Sequence, residues 1–296
     1  MKQIIIDTAM RAGEQIALAA ALRSPSLEVL GICCSGAFTD GETSQNTASR
    51  IAAQAGARAG IYPAGTPCIA RNLWKDRLLQ SERTRETLET FRLAAESCAE
   101  AWGTQQGTAQ NVRAACFYIH CLQEASAPVP VLVLGPMTNL AVALMADPAL
   151  AEKIDRVIFA AGGYDRTDVT VAAEANVWAD PEAAQYVLQL GVPVTFVTLD
   201  AAASAKDELL AALPYKGLAE DSGSLKAVIA LCGVLDEAVL AGAKDELCII
   251  STQDISDGRT VIDPRYYTAP KNCKYLYSAD GARCAEIVGN ILGKGV

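Results

Sequence analysis

The sequence predicts an α/β protein with a mostly parallel central sheet flanked by helices, and three observations carry that expectation. First, Val129–Leu134 is an apolar run entered from Pro128, the pattern of a strand buried on both faces, as in a parallel sheet. Second, Gly135–Pro136 breaks that run and Thr138–Met145 takes up a helical apolar pattern, with Pro136 placed to open the helix. Third, the amino-terminal part alternates strand and helix, which favours parallel pairing through right-handed crossovers. The polar pair Thr138–Asn139 therefore falls just past the carboxyl end of a central strand, the edge at which open α/β sheets bind ligands.

Taken in order, Gln3–Asp7 is a short apolar strand ending in an acid, Ala12–Leu22 a helix and Leu27–Ser35 a second strand. Ser44–Ala55 is helical and Ile61–Ala64 a brief third strand. The stretch from Trp74 to about Trp102 differs in character. Glu82–Ala101 is charged and amphipathic, and with a helix over Ala109–Ala125 it is expected to cover the sheet or form part of a lid. Arg156–Ala161 is a further buried strand ending in Gly162–Gly163, and Val169–Asp180 is a polar loop. Asp180–Pro181–Glu182 reads as a helix start, with Asp as N-cap and Pro at the first helical position. Val192–Asp200 is a strand, Ala201 to Ala243 mostly helix, Leu247–Ser251, Arg259–Ile262 and Lys274–Ser278 short strands, and Gly281–Leu292 a closing helix. With no internal repeat, linker or low-complexity segment, residues 1–296 are expected to form one domain.

Composition narrows the function. The 296 residues are 51% apolar and 20% charged, as in a globular chain. A net charge of −9 repels nucleic-acid backbones and anionic membranes, so neither is an expected partner. No run is long enough to span a bilayer, and the amino terminus enters a strand with no signal-peptide pattern, so a cytoplasmic location is expected. The ten cysteines include no C-x-x-C pair. Cys33–Cys34 fall in a strand and Cys116 and Cys121 in a helix, a scatter that suits buried reduced thiols and no zinc site. His120 is the only histidine, set among apolar neighbours on a helix face, and it builds no catalytic arrangement by itself.

Four acids fall at or after strand ends: Asp7, Glu174, Asp200 and, less directly, Asp236. Thr138 and Asn176 join them. An oxygen-rich pocket of this kind suits a hard cation or the hydroxyls of a sugar. The alternative for any one of these residues is a cap or turn role.

The order of motifs resembles the inosine-uridine preferring nucleoside hydrolases, over most of the chain except roughly residues 66–110. Gly135–Ala141 (GPMTNLA) is similar to the family's G-P-L-T-N-L-A, and Ala172–Ala184 (AAEANVWADPEAA) to its A-A-E-F-N-x-x-x-D-P-E-A-A. Gly191–Asp200 (GVPVTFVTLD) and Gly258–Asp263 (GRTVID) also fit. The resemblance implies a nucleoside-hydrolase-like fold, cleavage of the N-glycosidic bond of ribonucleosides, a nucleoside or ribose-like ligand, and a homodimer or homotetramer. It also implies calcium held by aspartates, a threonine carbonyl, water and ribose hydroxyls. The chain departs from the family at its hallmark D-T-D-P-G-x-D-D-A. Here the residues are Asp7, Thr8, Ala9, Met10, Arg11, Ala12, Gly13, Glu14 and Gln15. Read without a gap, Ala9 replaces a calcium ligand, Gly13 the aspartate base and Glu14 a second ligand. Gly36–Ala37 removes a sugar-contacting asparagine, Asp168 stands where an asparagine to the 5′-hydroxyl is expected, and Leu235–Asp236 stands in for the family's H-D. No intact catalytic set remains, with Asp7 and Glu14 the nearest candidates. A weak or absent metal site at Thr138, Asp236 and Glu14, a substrate site at Asp168, Glu174, Asn176 and Asp236, and weak or lost activity are the expectations. Non-catalytic binding of a small polar ligand is the alternative.

Overall fold

The computed structural model describes residues 1–64, 82–105, 107, 109–213, 215–262 and 269–293. Ten strands are described: β1 (Lys2–Thr8), β2 (Leu27–Cys34), β3 (Gly60–Pro63), β4 (Val129–Val133), β5 (Ile154–Phe159), β6 (Val194–Val197), β7 (Ala243–Glu246), β8 (Cys248–Ile250), β9 (Thr260–Ile262) and β10 (Cys273–Leu276). Eight of them form one sheet in the order β3-β2-β1-β4-β5-β6-β10-β7, with β8 and β9 as a separate antiparallel pair. Every pairing in the large sheet is parallel except β10 with β7. Strand order reverses between β1 and β4, and such a reversal opens a crevice at the carboxyl ends of the two strands.

Helices cover both faces. One core lies under α1 (Ala12–Arg23), α2 (Gly41–Gln54), α3 (Glu82–Ala99) and four later helices. The other lies under α4 (Ala114–Glu124), α5 (Thr138–Ala146) and the helix that follows Asp180. In chain order the remaining helices are α6 (Ala175–Ala179), α7 (Pro181–Gln189), α8 (Leu199–Ser204), α9 (Lys206–Ala212), α10 (Leu225–Leu235) and α11 (Gly281–Leu292). Ala12 to Ala21 of α1 are all buried, as befits a helix that packs on every side rather than along one stripe. A third, smaller cluster (Ala9, Phe38, Phe91, Val169, Ala173, Ala175, Trp178 and Ala179) includes residues from the loops that follow the strands.

Several boundaries move from the sequence expectation. The loop Val169–Asp180 contains α6, a short helix whose N-cap is Glu174. Asp200 lies in α8 rather than at a strand end. The helix expected from Ala109 begins at Ala114, because Ala109 instead bridges to Ile61. Strand β7 (AKDE) carries no apolar alternation and was expected to fall between a helix and a strand. Polar and charged residues are what an edge strand tolerates. The divergent stretch at roughly 66–110 lies partly outside the described residues, Trp74 included. No helix among the described residues is long and apolar enough to cross a membrane. Nine of the cysteines are described and are free thiols, seven of them buried.

Candidate active site at the carboxyl edge of β1 and β4

The crevice is bounded by the turn that joins β1 to α1. Gly135, which follows β4, approaches this turn so closely that a Cβ there would sit 2.7 Å from the Ala9 nitrogen. Met10 adopts a φ of 62° although it is not glycine, and such strained backbone tends to occur at functional turns. Gln15 holds the strained residue in place. Its Nε2 donates to the Met10 carbonyl (2.9 Å) and to the Ala95 carbonyl (2.8 Å), while its Oε1 accepts from Trp102 Nε1 (2.8 Å).

Arg11 is fully buried. Its Nε donates to Asp221 Oδ2 at 3.0 Å, and its Nη2 to Asp221 Oδ1 at 2.5 Å and Asp168 Oδ2 at 3.2 Å. The guanidinium also lies 3.9 Å from the Phe91 ring centre and 5.4 Å from that of Phe38, within cation–π range. Burial works against its charge, but Asp221 and then Asp168 outweigh that and leave it more firmly protonated than an ordinary arginine. A second buried cation, Lys226, opens α10 and donates to Glu174 Oε1 at 3.1 Å and the Gly223 carbonyl at 3.2 Å. Its place in the first turn opposes the helix dipole, and the Glu174 carboxylate offsets that opposition.

Each residue expected at the site has a definite position. Glu14 is buried, and its Oε2 accepts from Thr8 Oγ1 (2.8 Å) and the Ala9 amide (2.7 Å). Burial pushes its pKa up, against the pull of Arg11 and Lys226. Asp7 accepts from Asn139 Nδ2 at 3.1 Å and Tyr118 Oη at 3.3 Å. Burial pushes it to about 8, so at neutral pH it is mostly uncharged. Thr138 Oγ1 donates to Asp180 Oδ2 at 2.6 Å. Glu174 caps α6, accepting from Asn176 and Val177, and also accepts from the Gly162 amide at 3.0 Å. Asn176 Nδ2 donates to the Leu134 carbonyl (2.6 Å) and the Ala160 carbonyl (2.8 Å), tying together the chain just beyond β4 and β5. Asp168 accepts from Arg11 and from the Ala175 amide.

Asp236 and Asp200 are not brought to this cluster. Asp236 lies just beyond the carboxyl end of α10, the opposite end from Lys226, which for a helix of that length is about 15 Å along the axis. Its carboxylate caps a short 3-10 turn and pairs with Arg283, which holds it below the usual carboxylate range. Asp236, expected as a metal or substrate ligand, is thus not among the residues that the structure gathers at the crevice. Asp200 accepts from the Tyr164 and Asp165 amides and orders that loop. His120 is exposed and paired with Glu124 at 3.4 Å, away from the crevice. Asp221 and Lys226 were not anticipated from sequence. The signal was a lysine within the apolar helix LKAVIALCGVL, where a buried charge requires a partner.

Gly13 decides what the turn can do. Its amide donates to Ser224 Oγ at 2.8 Å, and a Cβ added there would lie 2.2 Å from the Ser224 carbonyl oxygen. The position that the resemblance gives to a base is therefore closed to any side chain. The calcium that the resemblance implies does not fit the residues present either. Calcium takes six to eight oxygens. Both oxygens of Asp221, of Glu174 and of Asp180 are already bonded to protein donors. Glu14 Oε1 and Asn176 Oδ1 have no partner, and no group of three or more potential metal ligands occurs among the described residues.

Comparison with known proteins matches this architecture. The profile of the inosine-uridine preferring nucleoside hydrolases covers residues 4–286. The pyrimidine-specific ribonucleoside hydrolase of Salmonella schwarzengrund is 35% identical over 199 residues, 67% of this chain and 60% of that protein. The match thus spans about three fifths of the relative's length. Among solved structures, a plant nucleoside hydrolase superposes with a TM-score of 0.78 at 19% identity, covering 99% of both chains. The inosine-uridine preferring enzyme of Bacillus anthracis gives 0.76 at 17%, covering 98% of this chain and 99% of that one. At those identities the likeness is one of fold. The profile match, over nearly the whole chain, shows that this chain belongs to the inosine-uridine preferring nucleoside hydrolase family.

Proposed function

We propose that this chain is a nucleoside hydrolase by descent whose hydrolysis of the N-glycosidic bond of ribonucleosides is weak or lost. The observation that carries the proposal is the closure of Gly13 against Ser224. Hydrolysis passes through a ribosyl cation-like state and needs a water deprotonated beneath the anomeric carbon. No side chain fits at position 13 to take that proton. Asp7 is mostly protonated at neutral pH and bonded to Asn139 and Tyr118. Glu14 directs one oxygen to Thr8 and Ala9. Loss of a general base costs about a hundredfold to ten-thousandfold in rate. The test is an assay of inosine, uridine, cytidine and adenosine, with and without excess calcium. Rates depressed to that extent relative to an active family member are expected, and turnover at that member's rate would refute the proposal.

A second reading is supported by three buried atoms without partners: Arg11 Nη1, Glu14 Oε1 and Asn176 Oδ1. One donor and two acceptors suit hydroxyls, which both give and take hydrogen bonds. This reading is non-catalytic binding of a ribose-like or other small polar ligand. Thermal-shift screening against ribose and nucleosides tests it, and absence of stabilisation by all of them counts against it. Under either reading the expected assembly is a homodimer or homotetramer, checked by light scattering.

A further inference from the structure

We propose that Arg11 and Lys226 are built-in cations that take the place of a divalent ion at this sheet edge, so that the crevice assembles without metal. The inference concerns the charge balance of the site rather than its turnover, and it stands or falls separately from the activity reading above. Turnover without calcium would overturn that reading and leave this one intact.

The argument begins from burial. Asp221, Glu174 and Glu14 are all buried, and burying carboxylates demands compensating positive charge or loss of the charge by protonation. At Asp221 the compensation is the Arg11 guanidinium, which meets both carboxylate oxygens from two of its nitrogens. This forked geometry is the strong form of the contact. Asp168 completes the contact from the loop after β5. At Glu174 the compensation is the Lys226 ammonium, and both side chains are 1% exposed. The two cations come from separate elements, the β1–α1 turn and the start of α10, and their partners from two more. Together they hold the crevice walls to one another, as a shared ion would. Phe38 and Phe91 pack against the guanidinium, which excludes the water shell that a bound calcium would retain.

The test measures thermal unfolding of the whole chain in EDTA and in millimolar calcium. Wild type is expected to show the same Tm in both. Arg11→Met should lower Tm by about 10 °C, as removal of one partner of a buried pair in a domain of this size does, and its Tm should now rise with calcium. Arg11→Met with Asp221→Asn should regain part of the loss and show no calcium response. Arg11→Lys, which keeps the charge, provides a folded reference if Arg11→Met fails to fold. In that case a Tm for Arg11→Lys between wild type and unfolded, unchanged by calcium, supports the proposal. A wild-type Tm that rises in calcium and falls in EDTA would overturn it. So would a soluble Arg11→Met protein that is as stable as wild type or indifferent to calcium.

Discussion

Two stretches line the same crevice and have fared differently. The stretch from Ala172 to Asp180 matches the family pattern closely, whereas the turn from Thr8 to Gln15 has been rewritten. The structure explains the difference by what each stretch supports. Glu174 caps α6 and holds Gly162, Asn176 ties two carbonyls beyond β4 and β5, and Asp180 caps α7 while accepting from Thr138. These residues secure backbone groups that would otherwise be buried unpaired, a cost that persists whether or not the protein catalyses anything. Ala9 and Gly13 carry no such duty. The side chains that the resemblance expects there serve only chemistry, and at Gly13 the Ser224 carbonyl occupies the space that a Cβ would need. A motif can thus be held in place by its scaffolding alone, whatever its chemistry.

Four substitutions would break or sharpen this contrast. The largest effect is expected from Glu174→Gln, which strands the buried Lys226 ammonium. Removing one partner of a buried pair costs about 3–5 kcal/mol, measurable by urea unfolding. An effect under 1 kcal/mol would contradict the scaffolding role. Next is Gly13→Asp, which restores the residue that the resemblance expects. Overpacking costs about 1–3 kcal/mol, and the 2.2 Å approach to a backbone oxygen puts this case at the upper end. Destabilisation without gain of nucleoside hydrolysis is expected, and a stable, active variant would show the turn to be merely unoccupied chemistry.

Asp7→Asn acts on the pH dependence of stability rather than through a fixed cost. The folded value near 8 exceeds the ordinary 3.8, so the folded chain keeps a proton that the unfolded chain releases. The resulting stability is fully present below about pH 4 and is lost as pH rises toward 8, with a slope of at most about 1.4 kcal/mol per unit. Asparagine accepts from Asn139 at its Oδ1 and can donate from its Nδ2 to Tyr118 Oη, reversing that bond, and it carries no titrating proton, so the slope between pH 5 and 8 should flatten in denaturation curves collected across that range. The smallest effect is expected from Asp236→Ala. It should leave ligand response and any residual hydrolysis at wild-type level, and a loss of either would return Asp236 to the site.

The sheet and its switch point were legible because they rest on long signals: the apolar run ending at Leu134, the Gly135–Pro136 break and the strand-helix alternation before Ile61. Local caps were legible too, as at Asp180, since an N-cap is fixed by neighbours within three residues. What escaped was set by contacts remote in sequence. Asp221 meets Arg11 across 210 residues, and no local pattern reports such a pairing. Asp236 is the one acid of a dipeptide that stands in for the family's H-D, while its position just past α10 sets it at the opposite end of that helix from Lys226. β7 escaped because an edge strand of Ala, Lys, Asp and Glu carries no alternation to read.

The Gln15 side chain has a consequence for observing all this. Trp102 is buried, stacked on Tyr215 and hydrogen-bonded to the same amide that steadies Met10. Its indole emission is therefore wired to the β1–α1 turn by two hydrogen bonds. Replacing Trp178 and Trp74 with phenylalanine would leave Trp102 as the single tryptophan, a selectively excitable reporter through which the loosening of that turn becomes visible as light.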